Sequence, residues 1–215
     1  MPVSDASKIR HIIFDLGGVL LNINPLLSLN ELAKISGLGK QALIDRFTES
    51  RIFEKFDTGQ YNPVQFRREL CSIIGKNVAD SEIDRMWNVL LMDFPPQRVK
   101  MLQELRNNYK VYLLSNTNSI HFLHYTEEFR KLYTINMIDL FDRLFLSYEI
   151  GMHKPDPEIY RYVLQQERLN ASECLFVDDS LPNIEAAGKL GIAGIHISGE
   201  HDVTSFFREG LILDQ

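Results

Sequence analysis

Five short runs of apolar, often β-branched residues punctuate the chain: His11-Ile12-Ile13-Phe14-Asp15, Val111-Tyr112-Leu113-Leu114-Ser115, Arg143-Leu144-Phe145-Leu146-Ser147, Cys174-Leu175-Phe176-Val177-Asp178 and Ala193-Gly194-Ile195-His196-Ile197. Near-continuous apolar runs of this length predict strands covered on both faces. Four of the five end in Asp or Ser, which places polar groups at the carboxyl tips, where open parallel sheets carry their chemistry.

Helical patterns alternate with these runs. Pro96 to Leu105 precedes the second strand, and Pro182 to Leu190 precedes the fifth. Before the fourth, Asp156 reads as an N-cap with Pro157 in the first turn of a helix reaching Leu164. Strand and helix in alternation predict an α/β fold, a doubly wound, Rossmann-like parallel sheet. The long stretch between the first two strands breaks the alternation. From Asn22 to Asp93 only helical periodicity appears: Leu26 to Ile35 stopped at Gly37, Lys40 to Phe47, Val64 to Ile74, and Ser81 to Met92. Gly59 and Pro63 punctuate it, and Pro95-Pro96 marks the return. Residues 22–95 therefore read as an inserted helical cap, and residues 1–21 with 96–215 as the core.

Composition narrows the function. At 215 residues, 45% hydrophobic and 24% charged, the chain sustains a core without disulfides. A net charge of -6 argues against nucleic-acid binding. Cys71 and Cys174 have no zinc spacing and read as reduced thiols. No run reaches transmembrane length, and Met1 to Lys8 is polar with no signal-peptide h-region, so no membrane partner and a cytoplasmic location are expected.

The candidate chemistry sits at the strand tips. Asp15 is followed by Gly17 and Gly18, which permit a sharp turn and close backbone approach to an anion. A carboxylate there suits a nucleophile or a metal ligand, although an Asp in an ordinary turn looks the same. Ser115-Asn116 offers a hydroxyl and a backbone amide to phosphoryl oxygens, but such runs also simply cap helices. Lys154, between Gly151 and Pro155, can pair with Asp15 and phosphate charge, whereas a lone lysine is usually solvated. His153 beside it reads as a bystander. Asp178-Asp179, with Asn183 after them, are adjacent carboxylates whose repulsion a hard cation relieves. Phe56 to Tyr61 can fold over the pocket about Gly59 or be a plain interhelical turn. Trp87, at helical spacing with Ile83 and Leu90, reads as cap core.

In order, these four sites resemble the four motifs of haloacid dehalogenase-like hydrolases, over the whole chain. Leu114 to Asn118, Gly151 to Pro155 and Phe176 to Glu185 look most like the bacterial α-D-glucose-1-phosphate phosphatases. The resemblance implies a phosphatase acting on a small phosphorylated metabolite such as glucose 1-phosphate. Asp15 becomes aspartyl-phosphate, and Ser115 and Lys154 hold the phosphoryl oxygens. Mg²⁺ is held by Asp15, Asp179 and the Gly17 carbonyl, with Asp178 at or near the ion. Gly17, Gly18, Asn116 and Asn183 line the substrate site. The chain is expected to be a monomer or weak homo-oligomer. One departure stands out: most phosphatases of this superfamily carry an acid–base Asp where this chain has Gly17. Two other readings stay open, a metal-independent 2-haloacid dehalogenase and a degenerate binding protein.

Overall fold

The computed structural model describes residues 6–199 and 201–213. The polar N-terminal residues 1–5, read above for a signal segment, lie outside them. Five parallel strands form one sheet: β1 (His11–Phe14), β2 (Lys110–Ser115), β3 (Arg143–Leu146), β4 (Cys174–Asp178) and β5 (Ala193–His196). Their order is β3-β2-β1-β4-β5, so β1 is central and pairs with β2 and β4. Each apolar run is a strand, as its pattern predicts. Three are a residue shorter at the tip than their runs, because Asp15, Ser147 and Ile197 leave the ladder. The Asp15 and Ile197 amides still bond across it, to the Val177 and Asp178 carbonyls at 2.8 and 2.9 Å.

Alternate residues of each strand point to opposite faces. Ile12, Phe14, Val111, Leu113, Leu175 and Val177 belong to the core beneath α6 (Pro96–Leu105) and α7 (Ser119–Leu132). Ile13, Tyr112, Leu114 and Phe176 belong to the core against α9 (Pro157–Glu167) and α10 (Leu181–Gly188). A one-turn helix, α8 (Ser147–Ile150), follows β3, and a small hairpin, β6 (Phe207–Arg208) with β7 (Leu211–Ile212), closes the described chain.

Between β1 and α6 run five helices: α1 (Pro25–Ser36), α2 (Lys40–Ser50), α3 (Ile52–Asp57), α4 (Pro63–Ile74) and α5 (Asp80–Asn88). They share their own apolar cluster, which includes Leu32, Leu43, Phe56, Phe66, Met86 and Trp87. Asn62 and Gln65 build a reciprocal capping box at the start of α4. Gly37 ends α1 in the left-handed conformation, φ 72°. α5 stops at Asn88, short of the expected Met92, because the chain there trades helical bonds for a ribbon. Asn24 N donates to Leu90 O at 2.8 Å, Met92 N to Asn22 O and Asn22 N to Asp93 O, each at 2.9 Å. Ile23 and Leu91 face each other across it.

The insert also packs directly on the core. Ile120 of α7 joins the cluster of the five helices, and the His121 ring stacks on Trp87 with centroids 4.7 Å apart. His121 Nδ1 donates to Asn88 Oδ1 at 2.9 Å. Among the described residues no helix is long and apolar enough to cross a membrane.

Candidate active site

Two tips of the sheet converge on one ammonium group. Lys154, in the loop between α8 and α9, is buried, and its Nζ donates to Asp15 Oδ1 at 2.6 Å and to Asp178 Oδ2 at 2.7 Å. The ammonium also lies 5.4 Å from the Phe176 ring centroid. The loop is held in turn by Asn116. Its Nδ2 donates to the Lys154 carbonyl at 2.9 Å, and its Oδ1 accepts from the Lys154 amide at 2.8 Å. The Asn116 side chain is thus spent on positioning the lysine, and only its backbone remains to face a ligand.

Asp178 is completely buried and fully engaged. Oδ1 accepts from Ser180 N at 2.8 Å and from Asn183 Nδ2 at 3.0 Å, and the same amide reaches Oδ2 at 3.1 Å. Asn183, expected to line the substrate site, is instead an internal brace for Asp178. Asp179 is the exposed member of the pair and opens on a cleft of about 590 Å³ shared with Gly18, Arg98, His196 and Asp202. Asp15, Asp178 and Asp179 each bring a carboxylate oxygen within 4.8 Å of the others.

The glycines act differently from one another. Gly18 sits at φ 78°, and a Cβ there would overlap the Asp179 carboxylate, so its bare backbone is what lets Asp179 approach the β1 tip. Its amide donates to the Leu21 carbonyl at 2.9 Å, which removes it from the expected set of substrate donors. Gly17 lies under Ile23, whose Cδ1 is 3.1 Å from where a Cβ would stand. Ser115 is buried at the end of β2.

The electrostatics match a place built for added positive charge. Burial pushes the Asp15 carboxyl up to about 6, Lys154 pulls against that, and Asp178 adds to it. Burial, with Asp178 next, raises Asp179 as well. Lys154 is desolvated, which disfavours its charge, yet Asp15 and Asp178 hold its pKa above the ordinary lysine value. One ammonium against three carboxylates leaves two negative charges, the complement of one divalent cation. The donor set is all oxygen, which suits a hard ion.

Two residues that the sequence pattern does not single out contact neighbours of this site from the insert. Asp57, at the end of α3, accepts a hydrogen bond from Asn118 Nδ2 at 2.9 Å. Glu54, a turn earlier, lies 3.7 Å from His153 Nε2. His153 is therefore more than a bystander, and its Nδ1 also donates to the Lys154 carbonyl at 2.8 Å. The signal available for Asp57 was an acid inside the Phe56 to Tyr61 turn.

Comparison with known proteins gives the same picture at three levels. Residues 9–191 match the family model described as haloacid dehalogenase-like hydrolase. A D-ribitol-5-phosphate phosphatase of Bacteroides thetaiotaomicron is 29% identical over 188 residues, 85% of this chain and 89% of the relative. A sesquiterpene phosphatase of Aspergillus oryzae is 33% identical over 189 residues, 86% of this chain and 88% of the relative. A crystal structure of a HAD family enzyme from Bacteroides thetaiotaomicron, in complex with magnesium and inorganic phosphate, aligns with a TM-score of 0.86. It is 36% identical, and the alignment covers 93% of this chain and all of that one.

Proposed function

This chain belongs to the haloacid dehalogenase-like hydrolases, and we propose that it is a magnesium-dependent phosphatase of a small sugar or polyol phosphate, with Asp15 as nucleophile. The observation that carries the reading is the Lys154 ammonium held between Asp15 and Asp178, with Asp179 beside them. Named phosphatases among the relatives, and a similar structure holding magnesium and phosphate, support it.

In this reading Asp15 attacks phosphorus, the ester P–O bond breaks, and the leaving alkoxide takes a proton from water. Water then attacks the phosphorus of the aspartyl-phosphate, and Asp15 returns with release of inorganic phosphate. Ser115 and Lys154 hold the phosphoryl oxygens through both steps. Asp15, Asp179 and the Gly17 carbonyl are the groups that would hold magnesium. Asp178, its oxygens already engaged, fixes the lysine from behind. Magnesium, when bound, supplies the positive charge that lets an anionic carboxylate approach an anionic phosphate.

Residues 22–95 serve as the cap over this centre, and residues 1–21 with 96–215 as the catalytic core. Glucose 1-phosphate is the finer candidate. It leaves as an anomeric alkoxide, better stabilised than a simple one, which suits a site with glycine at 17. Initial rates on sugar, polyol and terpenyl phosphates with Mg²⁺ test the proposal, alongside EDTA and Asp15→Asn. Metal-dependent turnover that disappears in Asp15→Asn is expected. Turnover that survives full chelation would overturn it in favour of a metal-free dehalogenase-type displacement.

A further inference from the structure

The last residue of α3 carries a carboxyl group with no part in the chemistry above. Asp57 is partly buried, and Asn118 donates to only one of its oxygens. Among the described residues no hydrogen bond reaches the other oxygen.

Its place is set from three directions. Asn118 closes the segment that begins with Ser115, and its own Oδ1 caps α7 by accepting from His121 N at 3.0 Å. The amide that grips Asp57 is therefore fixed at both ends. Glu54 on the same helix faces His153, the neighbour of Lys154. Gly59 sits at φ 69°, and a Cβ there would overlap the Tyr148 carbonyl, so the turn is pressed onto the core. The end of α3 thus meets two loops, one that follows Ser115 and one that carries Lys154. In-line attack by Asp15 sends the leaving group out beyond the strand tips, the end of the sheet at which Asn118 and His153 meet α3.

Resting on the phosphatase reading, we infer that Asp57 is a specificity residue that accepts a hydrogen bond from a hydroxyl of the leaving group, so that the substrate is the phosphate ester of a polyhydroxy compound. Pairing decides between leaving groups. Closing a terpenyl chain over Asp57 would desolvate a charge that has the Asn118 amide as partner on one oxygen and none on the other, at substantial cost. A polyol or sugar offers a donor at nearly every carbon. Burial pushes the Asp57 carboxyl up to about 6, and the Asn118 amide and the nearby His153 oppose that rise. Near neutral pH the group is mainly ionised, and an ionised carboxylate only accepts.

The test compares wild type, Asp57→Asn and Asp57→Ala on three kinds of ester with Mg²⁺. These are the best of a panel of polyol and sugar phosphates, propyl phosphate, and p-nitrophenyl phosphate. Propyl phosphate has a similarly poor leaving group but no hydroxyl, so it separates recognition from proton transfer. For Asp57→Ala, kcat/KM on the hydroxylated ester is expected to fall about tenfold to a hundredfold, mostly through KM. On the two hydroxyl-free esters it should change by less than about threefold. Asp57→Asn keeps the shape and an amide oxygen, and should lose less. An equal loss on all three esters in Asp57→Asn overturns the inference, as does no loss in either variant. So does a wild-type preference for farnesyl phosphate over every hydroxylated ester. Those outcomes leave the phosphatase reading standing. A wild type that hydrolyses no phosphate ester removes both.

Discussion

Ile23 covers Gly17. Its Cδ1 would stand 3.1 Å from a Cβ at residue 17, so the place where an acid–base side chain would begin is filled by hydrocarbon. Adding the acid alone should therefore fail. Gly17→Asp is expected to lose about 1–3 kcal/mol of stability by overpacking, with no gain in rate. Gly17→Asp/Ile23→Ala should hydrolyse propyl phosphate at least about tenfold faster than Ile23→Ala, toward the lower range for general acid–base help. Thermal melts and kcat/KM for the three variants decide it. A double variant no faster than Ile23→Ala would mean that an acid at 17 is not what poor leaving groups lack here.

Lys154 neutralises two buried carboxylates at once. Lys154→Ala should lower activity by about two to three orders of magnitude, as removal of a transition-state donor does. It should also cost about 3–5 kcal/mol at neutral pH, because Asp15 and Asp178 are left uncompensated. Adding Asp178→Asn should restore part of the stability and none of the activity. Urea melts beside initial rates would expose a lysine whose role is structural alone, since stability and activity would then recover together.

Gly18 is expected to govern metal affinity without a ligating side chain. Gly18→Ala places a methyl group on the Asp179 carboxylate and strains a backbone at φ 78°. The Mg²⁺ concentration for half-maximal activity should rise at least about tenfold, in the range typical for disturbing a ligand's support. Magnesium titrations of wild type and variant measure it, and an unchanged midpoint would count against Asp179 as a ligand.

His121 ties stability to pH at the seam between the insert and the core. Burial, with His124 next, depresses its pKa to about 3 from an ordinary 6.5. Below pH 6.5 the unfolded chain takes up a proton that the folded one refuses, so stability falls as pH drops. The loss is about 1.4 kcal/mol per pH unit and runs on toward the folded pKa. Urea midpoints from about pH 7.5 to about pH 5 should fall in wild type and flatten in His121→Phe, which keeps the ring on Trp87. Parallel slopes would place the pH sensitivity elsewhere.

The strands and their reactive tips were legible because they depend on local order. An apolar run ending in Asp or Ser needs no distant partner to be recognised, so Asp15, Ser115 and Asp178 stand out. The duties of Asn116 and Asn183 were not legible, since an amide reads alike whether it meets ligand or protein. Only the fold brings Asn116 to the Lys154 backbone and Asn183 to Asp178. Three helices also escaped the pattern, α8 among them as a single turn. α3 is six residues long, too short to show a period. α7 lies between two strong strand signals and turns Ile120 and His121 toward a cluster distant in sequence. Trp87, in contrast, packs where its spacing with Ile83 placed it.

The ribbon at Asn22–Asn24 and Leu90–Asp93 brings the two ends of the insert within one hydrogen bond of each other. Evolution can treat such a junction as a socket. A module of any length whose termini meet in the same way can be spliced in without disturbing the strand that bears Asp15. The strand and its reactive tip are thereby free to stay old while the inserted helices are exchanged.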